Sequence, residues 1–350
     1  MVAALVSPLL GLPGALVALL LGVLTFGAQA TASPSHLPLA VGPADPAAAP
    51  ALAPAVQQVS QRGGDQVTWS RVAGRADAQR LLDRKQVYGA LLLGTGPSGP
   101  TATVLLSGAV NPSATQVAQP VLTQVGDGVL AAARAQAAAR PGSTSLATTP
   151  STPPPSPQVV TIHPVSAAGR ILPLAASALL WVVALPASLL ATVGLRRRGL
   201  PFGRIARLIT SVSAAAFGAG LVLALARVWD SSITPSWQAI AFLALVGAAF
   251  ALLQTGVLRW LGFGGVPLLV LLYLMAPAVA GTPPELLNPV YRELLWSWTP
   301  FRFSSEALRS LLFLGTGAPD IQPALWVFGG IGLAGLLLVL APGRSRAYAA

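Results

Sequence analysis

The chain has 350 residues, 54% hydrophobic and 9% charged, with a formal net charge of +11 and a mean hydropathy of +0.69. Soluble domains carry about a quarter charged residues, so this composition points to a membrane protein. The arginines gather at the ends of apolar runs and not on an aromatic-studded polar face, which argues against nucleic acid as the partner of that charge. Cysteine is absent, which removes disulfides, thiol nucleophiles and cysteine metal sites.

Residues 1–30 are apolar almost throughout. They read as a first transmembrane helix or as a signal peptide, with Ala28-Gln29-Ala30 offering a small-x-small cleavage pattern. Either way the segment that follows is exported. From residue 31 to 140 polar residues return, and short apolar runs alternate with helical patterns. Strands are expected at 37–41 and 67–72, the first at a sheet edge because of Pro38. An amphipathic helix is expected at 76–86, with Ala78, Leu81 and Leu82 on its apolar side. Strands at 87–93 and 101–107 flank a Gly/Pro-rich turn, and Asn111 caps a long helix that opens on Pro112 and runs toward Arg140. This order fits a small α/β domain with one sheet face covered by helices. Residues 141–157 hold Ser, Thr and Pro with little to bury and read as an extended linker.

After a return stretch at 158–170 the membrane half begins. Apolar runs at 171–195, 205–228, 237–258, 265–280 and 324–340 are expected to span, since about 20 helical residues cross a hydrocarbon core of about 30 Å. Between the first two of these lie Arg196, Arg197, Arg198, Arg204 and Arg207. Such a cluster stays on the cytoplasmic side, and fixing it there orients every other segment. Arg259 and the tail at 343–350 then fall inside, while residues 31–165 and all ten acidic residues fall outside. The competing reading is a solvated charge run between buried helices of a soluble protein. Residues 286–314 are unusual. Asn288-Pro289 opens a short aromatic-rich helix, Thr299-Pro300 breaks it, and Ser304 is placed as the cap of a second one. These are half-helices dipping into the bundle or a pair lying on its surface. Small residues at Ser211, Ala214, Ala215, Gly218 and Ala219, and at Gly329, Gly330, Gly332 and Gly335, would let helices approach closely.

The fold expected is therefore a polytopic α-helical membrane protein of about six transmembrane helices, with an extracytoplasmic α/β domain inserted between helices 1 and 2. Little chemistry accompanies it. Lys85 is the only lysine among 21 basic residues and sits on a helix, so no Walker phosphate loop is present. The expected spans hold no Asp, Glu or His of the kind proton-coupled carriers use. Gln254 is the one strong polar group at depth and reads as an interhelical hydrogen bond. His36 and His163 are far apart and read as incidental. Neither an enzyme nor any cofactor or metal is indicated.

Three stretches carry a family likeness: Ala76 through Tyr88-Gly89-Ala90-Leu91-Leu92, Gly169-Arg170-Ile171-Leu172-Pro173 with Leu180-Trp181 after it, and Asn288-Pro289 through Pro300 to Ala307-Leu308-Arg309. With the expected architecture, the chain resembles permeases of type-2 ABC exporters, in particular the phage-infection-protein (YhgE/Pip) branch. Gly94 stands where that branch has proline. The resemblance implies a permease half without its own motor, working as a homo- or heterodimer in the lipid bilayer of the cell membrane with a separate nucleotide-binding ATPase. It implies that Arg196, Arg197, Arg198, Arg204, Arg207 and Arg259 form the ATPase-docking surface. The substrate would be amphipathic or a cell-surface component, moved outward. The alternative is a membrane-anchored surface interaction or secretion-associated protein whose exported domain binds a partner.

Overall fold

The computed structural model describes residues 19, 22–23, 26–61, 63–96, 99–138 and 156–342. The apolar run at 1–30 lies mostly outside them, as do the tail at 343–350 and all but the end of the linker at 141–157. The described chain divides into two compact units. A sheet unit comprises Ser33–Val165 with Thr282–Leu286, and a helical unit comprises the rest.

The sheet unit is built on β1 (Leu37–Pro43), β2 (Val67–Arg71), β3 (Gly89–Gly96), β4 (Gly99–Ser107) and β5 (Gln158–Ile162). Their spatial order is β2-β1-β3-β4-β5, and only the β3–β4 hairpin is antiparallel. Three helices connect them: α1 (Ala49–Ser60), α2 (Arg75–Asp83) and α3 (Pro112–Ala138). Parallel strands need such crossovers, and crossover helices cover both sheet faces. Accordingly α1 and α3 pack on the face carrying Leu39, Val41, Leu91 and Val104, and α2 packs on the face carrying Ala40, Ala90, Leu92 and Leu105.

Several expectations are corrected here. One covered face becomes two. β1 lies inside the sheet, and Pro38 is tolerated because its carbonyl still accepts from Tyr88 N–H at 3.0 Å, just ahead of the β1–β3 ladder, which starts at Ala40. The missing donor thus falls at a ladder end. The turn-rich stretch at 94–100 is mostly strand, with Gly94 paired to Thr101 and Gly96 to Gly99. Residues 158–162 are a fifth strand and not a return to the membrane. The cap of α3 stands as expected: Ser113 N–H donates to Asn111 Oδ1 at 3.0 Å.

The chain also re-enters the sheet unit late. Ser33 N–H donates to Leu286 O at 3.1 Å, Ser35 N–H to Glu285 O at 2.8 Å, and Tyr88 Oη to Glu285 Oε2 at 2.9 Å. Leu286 is buried in the core beneath α1 and α3. Residues 282–286 are therefore part of this unit's fold, although about 120 positions separate them from the rest of it by the bounds above.

The helical unit holds α4 (Ala167–Arg197), α5 (Arg204–Trp229), α6 (Trp237–Leu261), α7 (Gly265–Ala280), α8 (Pro289–Tyr291), α9 (Pro300–Phe313) and α10 (Ile321–Leu340). Among the described residues, four helical stretches are long and apolar enough to cross a membrane: Ala167–Leu195, Arg204–Trp229, Trp237–Leu274 and Ile321–Leu340. The third runs through the turn at Gly262–Gly264, and α7 taken alone has 16 residues. The protein is mostly helical and suited to a membrane. α4 ends in a Schellman turn in which Leu200 N–H donates to Leu195 O at 2.9 Å around Gly199, whose φ of +68° only glycine adopts freely.

Candidate functional site

The interior of the helical unit is where polar chemistry collects. Its apolar framework is an aromatic cluster. Trp181 meets Phe250 edge-on at 4.9 Å between centroids, Phe250 stacks on Phe301 at 5.4 Å, and Phe328 closes on Phe250 at 5.4 Å. Small residues let these helices close. In α5, Ser211, Ala214, Ala215, Gly218 and Ala219 are all buried. In α10 a Cβ on Gly335 would lie 2.5 Å from Leu253 N, so only glycine admits that approach, whereas Gly329 and Gly330 face open space.

Through this framework runs a track of buried hydroxyl and amide groups. At one end Ser177 of α4 and Ser304 of α9 bond at 2.5 Å. Next, Gln254 Nε2 of α6 donates to Trp181 O of α4 at 3.1 Å, the interhelical bond expected from sequence. Then Thr255 of α6 bonds Ser188 of α4 at 2.8 Å and Ser211 of α5 at 3.2 Å. Ser177 and Ser188 lie eleven positions apart on α4, about 16 Å at 1.5 Å per residue. Gln254 Oε1 and Trp181 Nε1 are buried without a hydrogen-bond partner among the described residues. A buried amide oxygen and indole N–H left open cost about 1–3 kcal/mol each, so each is a place where a water would be held.

At the Ser177 end the track meets α9. Its buried side carries Ser304, Ser305, Arg309 and Ser310 beside Phe301, Leu308 and Leu311. Arg309 is 3% exposed, with Nη1 2.6 Å from Glu306 Oε1. Ser310 Oγ donates to Asp320 Oδ2 at 2.8 Å at the start of α10. Arg302, half-buried, stacks 3.8 Å from both the Trp296 and Phe303 rings. Burial lowers its guanidinium pKa, with Glu306 and Asp320 opposing that shift. Sequence placed Ser304 as a helix cap. Pro300 opens α9 four residues earlier, because a missing N–H costs nothing in the first turn. Ser304 is thereby carried inside the helix and onto the buried face. The alternative left open between inserted and surface-lying half-helices divides: α9 packs into the bundle core, while the turn Arg292–Trp296 after α8 leaves Leu294 exposed. Tyr291 Oη donates to Val23 O at 2.8 Å, and Ala28 packs with Val279, Leu287 and Leu295.

At the Ser188 end the track opens into a pocket of about 260 Å³. Here the arginines singled out from sequence separate. Arg197, Arg198 and Arg204 are exposed, and Arg196 lies in the last turn of α4. Arg207 is half-buried, stacked 5.0 Å from the Phe202 ring, and lines the pocket. Arg259 also lines it, but its guanidinium is engaged: Nη1 donates to Leu338 O at 3.1 Å and to Val339 O, and Nη2 to Ala341 O at 2.6 Å. Trp260 Nε1 joins at Leu338 O, 3.0 Å away. Arg259 therefore caps the C-terminus of α10, where orphan carbonyls and the helix dipole favour a cation. Nothing in sequence spacing signals that pairing.

Compared with known protein families, curated proteins and solved structures, the chain shows no match.

Proposed function

We propose that the chain is the membrane permease subunit of an ABC-type exporter, energised by a separate nucleotide-binding ATPase and moving an amphipathic or cell-surface substrate outward. In this reading it crosses the membrane six times, through residues 1–30, α4, α5, α6, α7 and α10. The arginine loop faces the cytoplasm and the sheet unit lies outside. α7 would cross at about 24 Å of helix, a shortfall that local thinning of the bilayer accommodates.

The observation that carries the reading is the polar track. Paired hydroxyls such as Ser177 with Ser304 and Thr255 with Ser188 hold helices together in any membrane bundle. Gln254 Oε1 and Trp181 Nε1 between them, however, are buried without a hydrogen-bond partner among the described residues, and a mere anchor has no use for open polar groups at depth. The track is neutral, which suits a solute moved by conformational change and not by proton coupling. α9, inserted at one end, and the pocket at the other are the places where such a path would open. The exposed trio Arg197, Arg198 and Arg204 is the surface available for a motor.

The test is mild-detergent purification of the full chain from its native membranes with ATP hydrolysis as readout. A stoichiometric ATP-hydrolysing subunit is expected, reduced at least tenfold in a variant carrying Arg197→Glu, Arg198→Glu and Arg204→Glu at unchanged yield. Absence of any ATPase after crosslinking before lysis would overturn the reading.

A further inference from the structure

We infer that residues 22–30 are a permanent part of the mature protein, docked on a surface made by Val279, Leu287, Tyr291 and Leu295, and that the bond between Ala30 and Thr31 is not cut after export. The inference rests on packing within the helical unit and not on the transport reading. Sequence leaves the apolar start of the chain open between a retained helix and a leader, because Ala28-Gln29-Ala30 has the small-x-small form that a leader peptidase reads. Such an enzyme must take the first and third residues of the triplet into its own pockets. Here the first is already taken: Ala28 is 0% exposed and packs with Val279, Leu287 and Leu295, all buried with it. Residues 26–30 are helical, and the Thr31 N–H and hydroxyl both donate back to Gly27 O, at 3.0 and 2.7 Å. The N–H of the bond in question thus closes the last turn of that helix, whereas nicking concentrates in loop tips whose backbone is free.

The surface is shaped for this occupant. Tyr291 Oη donates to Val23 O at 2.8 Å, which lays the ring along the helix. Gly27 lies against that ring, and a Cβ there would collide with Tyr291 Oη and Cζ. At Gly22 a Cβ would meet open space. One glycine is therefore required by a close approach, and the other is not. The Tyr291 side is held in turn by its own short helix: Asn288 Oδ1 accepts from Val290 N–H at 3.0 Å, and Pro289 sets the first turn of α8. Beyond the triplet, Ser33 N–H donates to Leu286 O at 3.1 Å. The chain is thus tied down closely on both sides of the Ala30–Thr31 bond. Removal of residues 22–30 would open the Ala28 cluster and leave the Tyr291 hydroxyl without its acceptor.

The experiment uses the full chain with a C-terminal tag, purified from its native membranes. It reads intact mass, peptides across the Ala30–Thr31 bond, and thermal unfolding in a neutral detergent. A peptide joining Ala30 to Thr31 is expected, with no chain that starts at Thr31. Gly27→Leu drives the Tyr291 ring off the helix and should lower Tm by several degrees. Tyr291→Phe keeps the ring, removes only the bond to Val23 O and should lower Tm less. Gly22→Leu adds the same side chain where there is room and should leave Tm unchanged. Should Gly27→Leu fail to fold, Tyr291→Phe carries the comparison with Gly22→Leu. Chains that begin at Thr31 would overturn the inference, as would a Tm for Gly27→Leu or Tyr291→Phe no lower than that of Gly22→Leu. Either result would leave the co-purification of an ATPase untouched, so the two proposals fail separately.

Discussion

The two units bury opposite things. In the sheet unit the buried polar side chains among the described residues are Ser107 and Asn111, and the only large apolar side chain left exposed is Val159. In the helical unit Ser177, Ser188, Ser211, Gln254, Thr255, Ser304 and Arg309 are buried, while Ile171, Leu190, Phe217, Trp237, Trp326 and many others are exposed. A water-facing domain gains stability by removing apolar area from solvent, so its core is dry and its rim polar. Between helices in lipid that drive vanishes, since acyl chains are as apolar as leucine. Association then rests on close packing and on polar pairs inside. The contrast within one chain is the strongest physical sign that its halves fold in different solvents.

The comparison is tested hardest where the helical unit buries charge. Glu306→Leu leaves the Arg309 guanidinium buried without its carboxylate. The expected loss is about 3–5 kcal/mol, and the double change Glu306→Leu with Arg309→Met should recover most of it. Equilibrium unfolding of the full chain in mixed micelles measures both, and a single-variant loss below about 1 kcal/mol would mean that the pair is solvated. In the sheet unit the corresponding probe is apolar. Leu286→Ala should cost about 2–3 kcal/mol by leaving a cavity under α1 and α3. A fragment limited to residues 33–165 lacks that side chain and the Glu285 contacts to Ser35 and Tyr88. It should therefore melt several degrees below the same fragment with residues 282–286 appended.

How far sequence reached differs between the halves for the same reason. Long apolar runs bounded by arginine announce α4 and α5 within a few residues, because hydropathy over 20 positions is a strong signal. In the sheet unit the strands of the hairpin and the capped start of α3 were legible from alternation and from Asn111-Pro112. α1 was not, since Pro46, Pro50 and Pro54 hide a helix that tertiary packing stabilises. β5 and the 282–286 segment were missed because a strand pairs with whatever the fold brings near, and no local pattern names a partner so far away. Of the candidate site, Gln254 was readable as a lone amide in an apolar run. The hydroxyl track was not, because serine and threonine bond their own helix carbonyls and carry no periodic mark, as Ser211 does with Arg207 O at 3.0 Å. The role of Arg259 at the end of α10 depends on α6 and α10 finishing at the same level, which only packing decides.

Smaller effects sharpen the comparison further. Thr255→Val removes the hydroxyl shared by Ser188 and Ser211, and the expected cost is about 0.6–1.7 kcal/mol, the range for polar pairs between membrane helices. Asn111→Ala in the sheet unit removes a cap bond and should cost about 1 kcal/mol. Near-equal losses would mean that a buried hydroxyl pair and a helix cap contribute alike in the two solvents.

The smallest effect is at Asp230, just beyond α5. Its carboxylate accepts from the Ser166 hydroxyl and from the Ser232 hydroxyl and N–H, which hold its pKa below the usual 3.8. These bonds favour the ionised form, so the folded state binds the proton less readily than the unfolded chain. The contribution is present above about pH 4 and is lost as pH falls through the folded value. Asp230→Asn lacks this dependence. The stability difference between wild type and Asp230→Asn should be largest near neutrality and shrink in acid below about pH 4. A difference that stays constant down to pH 2 would place the carboxylate outside the Ser166 and Ser232 turn, and with it the description of how α5 hands the chain to α6.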